Sequence, residues 1–110
     1  MILSKYVFIS IVNYNSSFKT IRCVKSLFEN NYKYYKIIIV DNNSTDQSLL
    51  EISNWLEKNN ISFSEDINLN VNSVAIIKSK FNGGYAYGNN IVIKQISKKF
   101  KNSFIWILNN

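Results

Sequence analysis

Short apolar runs alternate along the chain with segments whose apolar residues recur at helical spacing. The runs are rich in β-branched and aromatic residues, which is typical of strands buried on both faces of a sheet. We predict strands at residues 6–13, 36–40, 74–78 and 104–108. Helical periodicity predicts helices over residues 18–28, 49–56 and 91–100. The first turns of the third helix would contain Gly88, Asn89 and Asn90.

Turn and cap residues separate these segments. Asn30 and Asn31 end the first helix, and Ser44 with Gln47 forms a candidate capping box before the second. Residues 62–73 are polar and lack a strong period, so we predict a loop there, within which Phe63 marks a candidate short strand.

The elements therefore alternate between strand and helix in a single domain over residues 1–110. Such alternation predicts a Rossmann-like α/β fold, with a four-stranded, mostly parallel sheet and helices on both faces. Ligands of open parallel sheets bind outside the carboxyl ends of the strands. Polar, glycine and asparagine residues concentrate at those ends, at residues 13–15, 41–46, 80–90 and 109–110.

The formal charge of +6 changes this picture little. A basic balance suits nucleic acid, an anionic membrane or a phosphorylated ligand, but most of the lysines are scattered. The one dense group, Lys98, Lys99 and Lys101, lies near the end of a predicted helix, where lysines favour the helix dipole and stay solvated. Nucleic-acid binding would rest on net charge alone, so we do not predict it.

Composition excludes several classes of site. The chain has no histidine, which rules out His-based metal sites and Ser/His or Cys/His nucleophile pairs. Its single cysteine, Cys23, is predicted to be a small core residue and cannot form an internal disulfide. Residues 1–12 lack the pattern of a signal peptide, and no apolar run reaches transmembrane length. We therefore expect a cytoplasmic protein.

Asp41 is the first candidate for chemistry, because it ends a buried strand. Its carboxylate can accept hydrogen bonds from a ligand N–H or hydroxyl group, or it can cap only the turn that follows. Its position leaves both interpretations open. Residues 42–46 read Asn-Asn-Ser-Thr-Asp and suit a helix start, with Asp46 placed to favour the helix dipole.

All three glycines of the chain fall within residues 82–90. Glycine lets backbone approach a ligand closely and adopt positive φ, and free amides at the start of the next helix can hold phosphate. Glycine and asparagine inside the first helical turns weaken that helix, and this local cost favours a binding site over a plain turn. The spacing matches neither the G-x-G-x-x-G nor the Walker pattern.

Three of these segments follow one another with the order and spacing of known motifs. Residues 9–15 are similar to a V-x-Y-N turn after an opening strand, residues 39–48 to V-D-N-x-S-x-D-x-S, and residues 82–90 to N-x-G-F-A-x-G-N-N. Together they resemble the family 2 glycosyltransferases of the GT-A fold, particularly the rhamnosyltransferase-like branch. Residues 106–110 resemble the start of that family's L-N-N-D, its version of the DXD metal motif.

The resemblance implies a nucleotide-sugar site. The residues it assigns are Val12, Asn13, Asp41, Asn43, Asn82, Gly83, Gly84, Asn89, Asn90 and Asn109. Asp41 would bind the base or ribose, and residues 82–84 would lie along the base and diphosphate. Asn89 and Asn90 would face the cleft, and Asn109 would sit where the DXD motif meets the ribose.

The resemblance also implies what the chain lacks. In such proteins an aspartate ligates Mg²⁺ or Mn²⁺, and here it would follow Asn110. The acceptor site and the catalytic base come from a C-terminal half, and the usual mechanism is inverting. We therefore expect residues 1–110 to supply donor binding alone and to be inactive. Glu65 and Asp66 are interpreted as solvated loop residues rather than as the base.

For the complete protein, the resemblance implies a glycan or lipid-linked acceptor in polysaccharide synthesis. Such a role is compatible with peripheral association at the inner face of a membrane. A rival hypothesis is a non-catalytic truncated module that binds a nucleotide or a protein partner. A Rossmann dinucleotide binder shares the alternation, but its first turn should contain glycine and residues 13–17 contain none.

Overall fold

The computed structural model describes residues 6–100 and 103–110. Lys101 of the predicted basic group lies outside the described residues, as do residues 1–5. In chain order the elements are β1 (Val7–Asn13), α1 (Ser17–Phe28), β2 (Tyr35–Asp41), α2 (Ser48–Lys58), β3 (Ser62–Ser64), β4 (Ser73–Lys78), α3 (Gly84–Lys99) and β5 (Phe104–Ile107).

The strands form one five-stranded sheet in the order β3-β4-β2-β1-β5. Every pair of neighbouring strands is parallel, so the predicted α/β class is confirmed. The sheet has five strands rather than the predicted four because the short segment around Phe63 pairs with β4. Its three residues are exposed, so no run of buried apolar residues marks it in the sequence.

Helices cover both faces of the sheet, as predicted. Side chains of β1, β2 and β4 that point to one face pack against α1 and α2, and those that point to the other face pack against α3. The first core contains Val24, Leu27, Ile52 and Leu56 from the helices, with Ile9, Ile11, Ile37, Ile39, Val74 and Ile76 from the strands. The second contains Val92 and Ile96 of α3 with Phe8, Val12, Ile38, Val40 and Ala75.

Cys23, which was predicted to be a small core residue, is only half-buried and packs at the margin of the first core. At the end of α3, Lys99 forms an exposed ion pair with Asp66 at 3.1 Å. Among the described residues, no helix has both the length and the apolar character needed to cross a membrane.

The start of α2 differs from the prediction. The helix begins at Ser48, and Gln47 at its cap position makes no side-chain capping bond within the described part of the chain. Asp46 lies before the first turn, where its carboxylate accepts the Ser48 backbone N–H at 2.9 Å. The capping box predicted from Ser44 and Gln47 is therefore wrong, because the Ser44 hydroxyl donates to Asp41 instead.

Lys36 of β2 is buried in the sheet with a relative exposure of 1%. Its Nζ atom donates to Asn68 Oδ1 at 3.3 Å. Burial lowers the pKa of the Lys36 amine from its ordinary value of 10.5, and the charge of Asp66 opposes this shift. A buried ammonium group disfavours folding unless its hydrogen bonds offset the loss of hydration.

The folded state therefore binds fewer protons at Lys36 than the unfolded state does, between the lowered pKa and 10.5. Stability contributed by this group rises as pH rises through that window. Lys36→Met is expected to raise the free energy of unfolding by about 1 kcal/mol near pH 7. The advantage of the variant should shrink as pH approaches about 10, because only the wild type gains from deprotonation.

Urea unfolding at the two pH values measures this difference. Burial raises the pKa of Tyr6 and of Tyr35, which lowers stability at alkaline pH in both proteins and cancels in the comparison. Lys25→Met, at an exposed position, is the matched control and should show no such pH-dependent difference. A Lys36→Met variant that is less stable than wild type at both pH values would contradict the conclusion that the buried ammonium group of Lys36 disfavours folding.

Candidate functional site

The path of the chain opens a crevice at the carboxyl ends of β2 and β4. The chain leaves β2 toward α2 on one face of the sheet and leaves β4 toward α3 on the other. Such a divergence between neighbouring strands is where open parallel sheets bind ligands. The strand ends are tied together by backbone bonds from Asn42 N–H to Asn13 O at 2.9 Å and from Ser79 N–H to Asp41 O at 2.8 Å.

Asp41 lies at the centre of this edge and is only 1% exposed. Its Oδ1 atom accepts hydrogen bonds from Asn13 Nδ2 at 2.9 Å and from Ser44 Oγ at 2.7 Å. Its Oδ2 atom accepts the Ser44 backbone N–H at 3.0 Å. The carboxylate thus caps the turn after β2, which is one of the two roles that the sequence left open.

Asn13, opposite Asp41 in the register of β1 and β2, continues the network away from the strand end. Its Oδ1 atom accepts from Thr20 Oγ1 at 2.6 Å. Thr20 in turn accepts from Asn110 Nδ2 at 2.7 Å, and Asn110 Oδ1 accepts from Tyr85 OH at 3.4 Å. One chain of hydrogen bonds therefore connects the ends of β1 and β2 with α1, α3 and the segment after β5.

Asn15 joins the loop after β1 to the loop after β2. Its backbone has a φ of 49°, a left-handed conformation that asparagine adopts more readily than most residues. Its Oδ1 atom accepts the backbone N–H groups of Thr45 at 2.9 Å and Asp46 at 3.2 Å. Its own N–H donates to Ser44 Oγ at 3.0 Å. Asn15, Ser44 and Thr20 were not among the site residues predicted from the sequence. Asn15 and Ser44 nevertheless lie in two of the motifs identified there, at residues 9–15 and 39–48.

The segment before α3 brings its glycines to the same edge. Gly84 has a φ of 86°, a conformation that favours glycine. Its N–H donates to Asn82 Oδ1 at 3.1 Å, and its carbonyl accepts from Asn42 Nδ2 at 2.9 Å. Asn82, Gly83 and Gly84 are exposed, and the cap residue Gly83 has no side chain that could bond the N–H groups after Gly84.

The first turns of α3 lie unusually close to the sheet. A Cβ atom on Gly88 would lie 3.0 Å from Val12 Cγ2 and 3.2 Å from Asn42 Oδ1. One residue later, the buried Asn89 accepts a hydrogen bond from Ser10 Oγ of β1 at 2.7 Å. Asn89 is thus directed at the sheet, whereas the sequence predicted that it would face the cleft. Asn90 is exposed on the helix.

The remaining predicted residues lie at the rim of this edge. Asn43 is exposed with a left-handed φ of 59°, and Asn109 is exposed two residues after the end of β5. The described residues contain no group of three His, Cys, Asp or Glu side chains that could hold a metal ion. The side chains present therefore do not make a metal centre by themselves.

Comparison with known proteins agrees with this arrangement. The sequence model described as "Glycosyl transferase family 2" matches residues 8–110. This chain belongs to glycosyl transferase family 2. The family resemblance predicted from the three segments is confirmed at that level. No curated protein sequence matches the family 2 chain significantly.

A solved structure shows a similar fold. It is the mannosyltransferase PcManGT from Pyrobaculum calidifontis in complex with GDP-Man and Mn²⁺. The match has a TM-score of 0.64 and 18% sequence identity, and it covers 81% of this family 2 chain. It covers only 24% of the mannosyltransferase chain, so the likeness concerns the fold of one part of that protein.

Removal of the Asp41 carboxylate tests how much the strand-end network stabilises the fold. Asp41→Ala leaves Asn13 Nδ2 and the Ser44 N–H without their acceptor, and each buried unpaired group costs about 1–3 kcal/mol. We expect the free energy of unfolding to fall by about 2–3 kcal/mol in urea titrations. The control is Asp46→Ala, which removes one exposed acceptor of the Ser48 N–H and should cost about 1 kcal/mol or less. Equal losses in the two variants would refute the central role of Asp41.

Proposed function

We propose that this chain forms the donor-binding part of a glycosyltransferase that transfers a sugar from a nucleotide diphosphate to an acceptor hydroxyl. The observation that carries the proposal is the meeting of Asn13, Asp41 and residues 82–84 at one edge of the sheet, joined through Asn42. Three motifs that are far apart in sequence therefore lie side by side, which supports a common site. Family membership supports sugar transfer as the general activity.

Asp41 and Asn13 suit the base or ribose of the nucleotide. A carboxylate offers about four lone-pair sites, and the two oxygens of Asp41 accept three hydrogen bonds from Asn13 and Ser44. One acceptor site on Oδ2 is therefore left for a ligand N–H or hydroxyl group. Because Asp41 is buried, a ligand would reach it through a small movement of the exposed loop at Asn43.

The amino end of α3 suits the diphosphate. Helix amino ends carry partial positive charge and present free N–H groups, both of which favour phosphate oxygens. The exposed backbone at Gly83 and Gly84 lets a ligand approach without a side chain in the way. Lys78 and Lys80, exposed at the end of β4, add positive charge at the same edge. Val12 and the exposed Asn90 would complete the walls of the pocket.

We infer that the complete enzyme uses Mg²⁺ or Mn²⁺, which would neutralise the departing diphosphate. The solved neighbour, which is in complex with GDP-Man and Mn²⁺, supports this inference. The described residues do not hold such an ion by themselves, and Asp41 is already engaged with Asn13 and Ser44. The exposed Asn109 would contribute beside the ribose, and the metal ligands would be further residues of the complete enzyme.

We further propose that the enzyme inverts the anomeric centre. The carboxylate base would lie outside the hydrogen-bonded group of Asn13, Asp41 and Ser44. The two acidic residues of the polar loop, Glu65 and Asp66, are not offered as that base, and Asp66 pairs with Lys99. The 110-residue chain is then expected to bind donor without transferring sugar. For the whole protein we propose a rhamnosyltransferase-like specificity and a glycan or lipid-linked acceptor. We also propose a cytoplasmic location at the inner face of a membrane.

The alternative is a non-catalytic module that binds a nucleotide or a protein partner. One observation favours it. β5 lies at the edge of the sheet, and its side chains Phe104, Trp106 and Ile107 are 63%, 46% and 48% exposed. Edge strands with exposed apolar side chains invite pairing with another chain. A module of this kind would bind its partner at β5, on the opposite side of β1 from Asp41.

Calorimetric titration with UDP, GDP and dTDP, each with and without Mn²⁺, tests donor binding. We expect the chain to bind at least one of them and to transfer no sugar from the corresponding nucleotide sugars. Asp41→Asn keeps the shape of the side chain but loses the charge and one acceptor, and should weaken that binding about tenfold. The matched control is Asp46→Asn, which changes an exposed carboxylate outside the cluster.

The outcomes separate the two functions. Absence of binding to all three nucleotides would contradict the donor-binding role and favour the module. Sugar transfer by the chain alone would contradict the expectation that a base from elsewhere is required. Unchanged affinity in Asp41→Asn would remove Asp41 from the site.

A further inference from the structure

Asn42 holds the amino end of α3 against the carboxyl end of β2. Its side chain is 1% exposed, and its Nδ2 atom donates to the carbonyl of Gly84 at 2.9 Å. Its Oδ1 atom is buried and has no hydrogen-bond partner within residues 6–100 and 103–110. A buried acceptor without a partner is costly, so its placement needs a reason.

Gly88 supplies that reason. A Cβ atom on Gly88 would lie 3.2 Å from Asn42 Oδ1, so the missing side chain at position 88 leaves room for this oxygen beneath α3. The side-chain amide of Asn42 therefore packs against the first turn of α3 at two positions. Its Nδ2 atom bonds to the Gly84 carbonyl, and its Oδ1 atom lies beneath Gly88, one helical turn later.

We infer that Asn42 and Gly88 form a clamp that sets the position of the α3 amino end, and that Asn42 is a positioning residue for nucleotide binding. This inference rests on the proposed function. Asn42 is bonded to Asn13 through its backbone and to Gly84 through its side chain. Asn42 also follows Asp41 directly in the chain. It therefore links Asp41, proposed to bind the base or ribose, to the amino end of α3, proposed to bind the diphosphate.

The clamp also explains why glycine occupies position 88. Alanine in a helix interior is favoured over glycine by about 1 kcal/mol. At Gly88, however, the added methyl group would meet Val12 Cγ2 at 3.0 Å and Asn42 Oδ1 at 3.2 Å. The side chains of Val12 and Asn42 or the helix itself would have to give by a few tenths of an ångström, and a shift of the helix would displace its N–H groups.

Calorimetry on the whole chain tests the clamp, with the nucleotide diphosphate that the wild type binds as the probe. Asn42→Ala and Gly88→Ala are each expected to raise Kd about tenfold, because displaced donors lose ligand contacts worth about 1.4 kcal/mol. The stoichiometry should stay at the wild-type value. A merely structural role would lower the fraction of competent protein and hence the stoichiometry, while the folded molecules kept their Kd.

Gln95→Ala is the control, because Gln95 is exposed near the other end of α3 and should leave Kd unchanged. The double variant Asn42→Ala/Gly88→Ala should bind little worse than either single variant, because residues that act as one unit are not additive. Fully additive losses would overturn the clamp as a unit.

Hydrogen exchange provides a readout that needs no nucleotide. Backbone amides of residues 88–92, the first that donate hydrogen bonds within α3, should exchange faster in Asn42→Ala than in wild type, while those of α1 stay unchanged. If the wild type binds a nucleotide and Asn42→Ala binds it with the same Kd, the inference fails and the proposed function stands. If the wild type binds no nucleotide diphosphate, the proposed function fails and the positioning role of Asn42 fails with it.

Discussion

The rest of the site depends on the buried hydrogen bond between Asn13 and Asp41. These residues are the last of two neighbouring parallel strands and lie opposite each other in register. Their 2.9 Å bond places a carboxylate at a strand end, where the backbone leaves the sheet and its polar groups need partners. Ser44, from the loop that follows, donates to the same carboxylate through its N–H and its hydroxyl group.

The parts of the fold that the sequence predicted are those with a strong period or a buried run. β1, β2 and β4 carry continuous runs of buried residues, and the helices show their buried faces at regular spacing. β3 has three exposed residues, so its place in the sheet follows from pairing with β4 and leaves little mark in the sequence. Strand order is likewise a tertiary property, set by where each helix packs.

Within the site, sequence patterns located the segments better than the roles of single residues. Ser44 and Gln47 match a capping box by spacing, yet Ser44 bonds to Asp41, because a buried carboxylate competes for its hydroxyl. Asn89 was expected in the cleft, yet it bonds to Ser10 beneath the helix. Gly88, a weak helix former, was interpreted as a sign of a binding site. The structure shows that glycine is present at this position because the helix packs closely on Val12 and Asn42.

The arrangement of polar groups gives the site a direction. At one end Asp41, buried and acceptor-rich, disfavours anions and favours a neutral ligand group that donates hydrogen bonds. At the other end the amino end of α3, where the cap residue is Gly83, favours anions. A nucleotide diphosphate has this same polarity, with a hydrogen-bonding base or ribose at one end and negative charge at the other. The reverse orientation would bring phosphate against a buried carboxylate, where repulsion is strongest in a low dielectric. Because Asn42 follows Asp41 directly and bonds to Gly84, one side chain connects the two ends of the site.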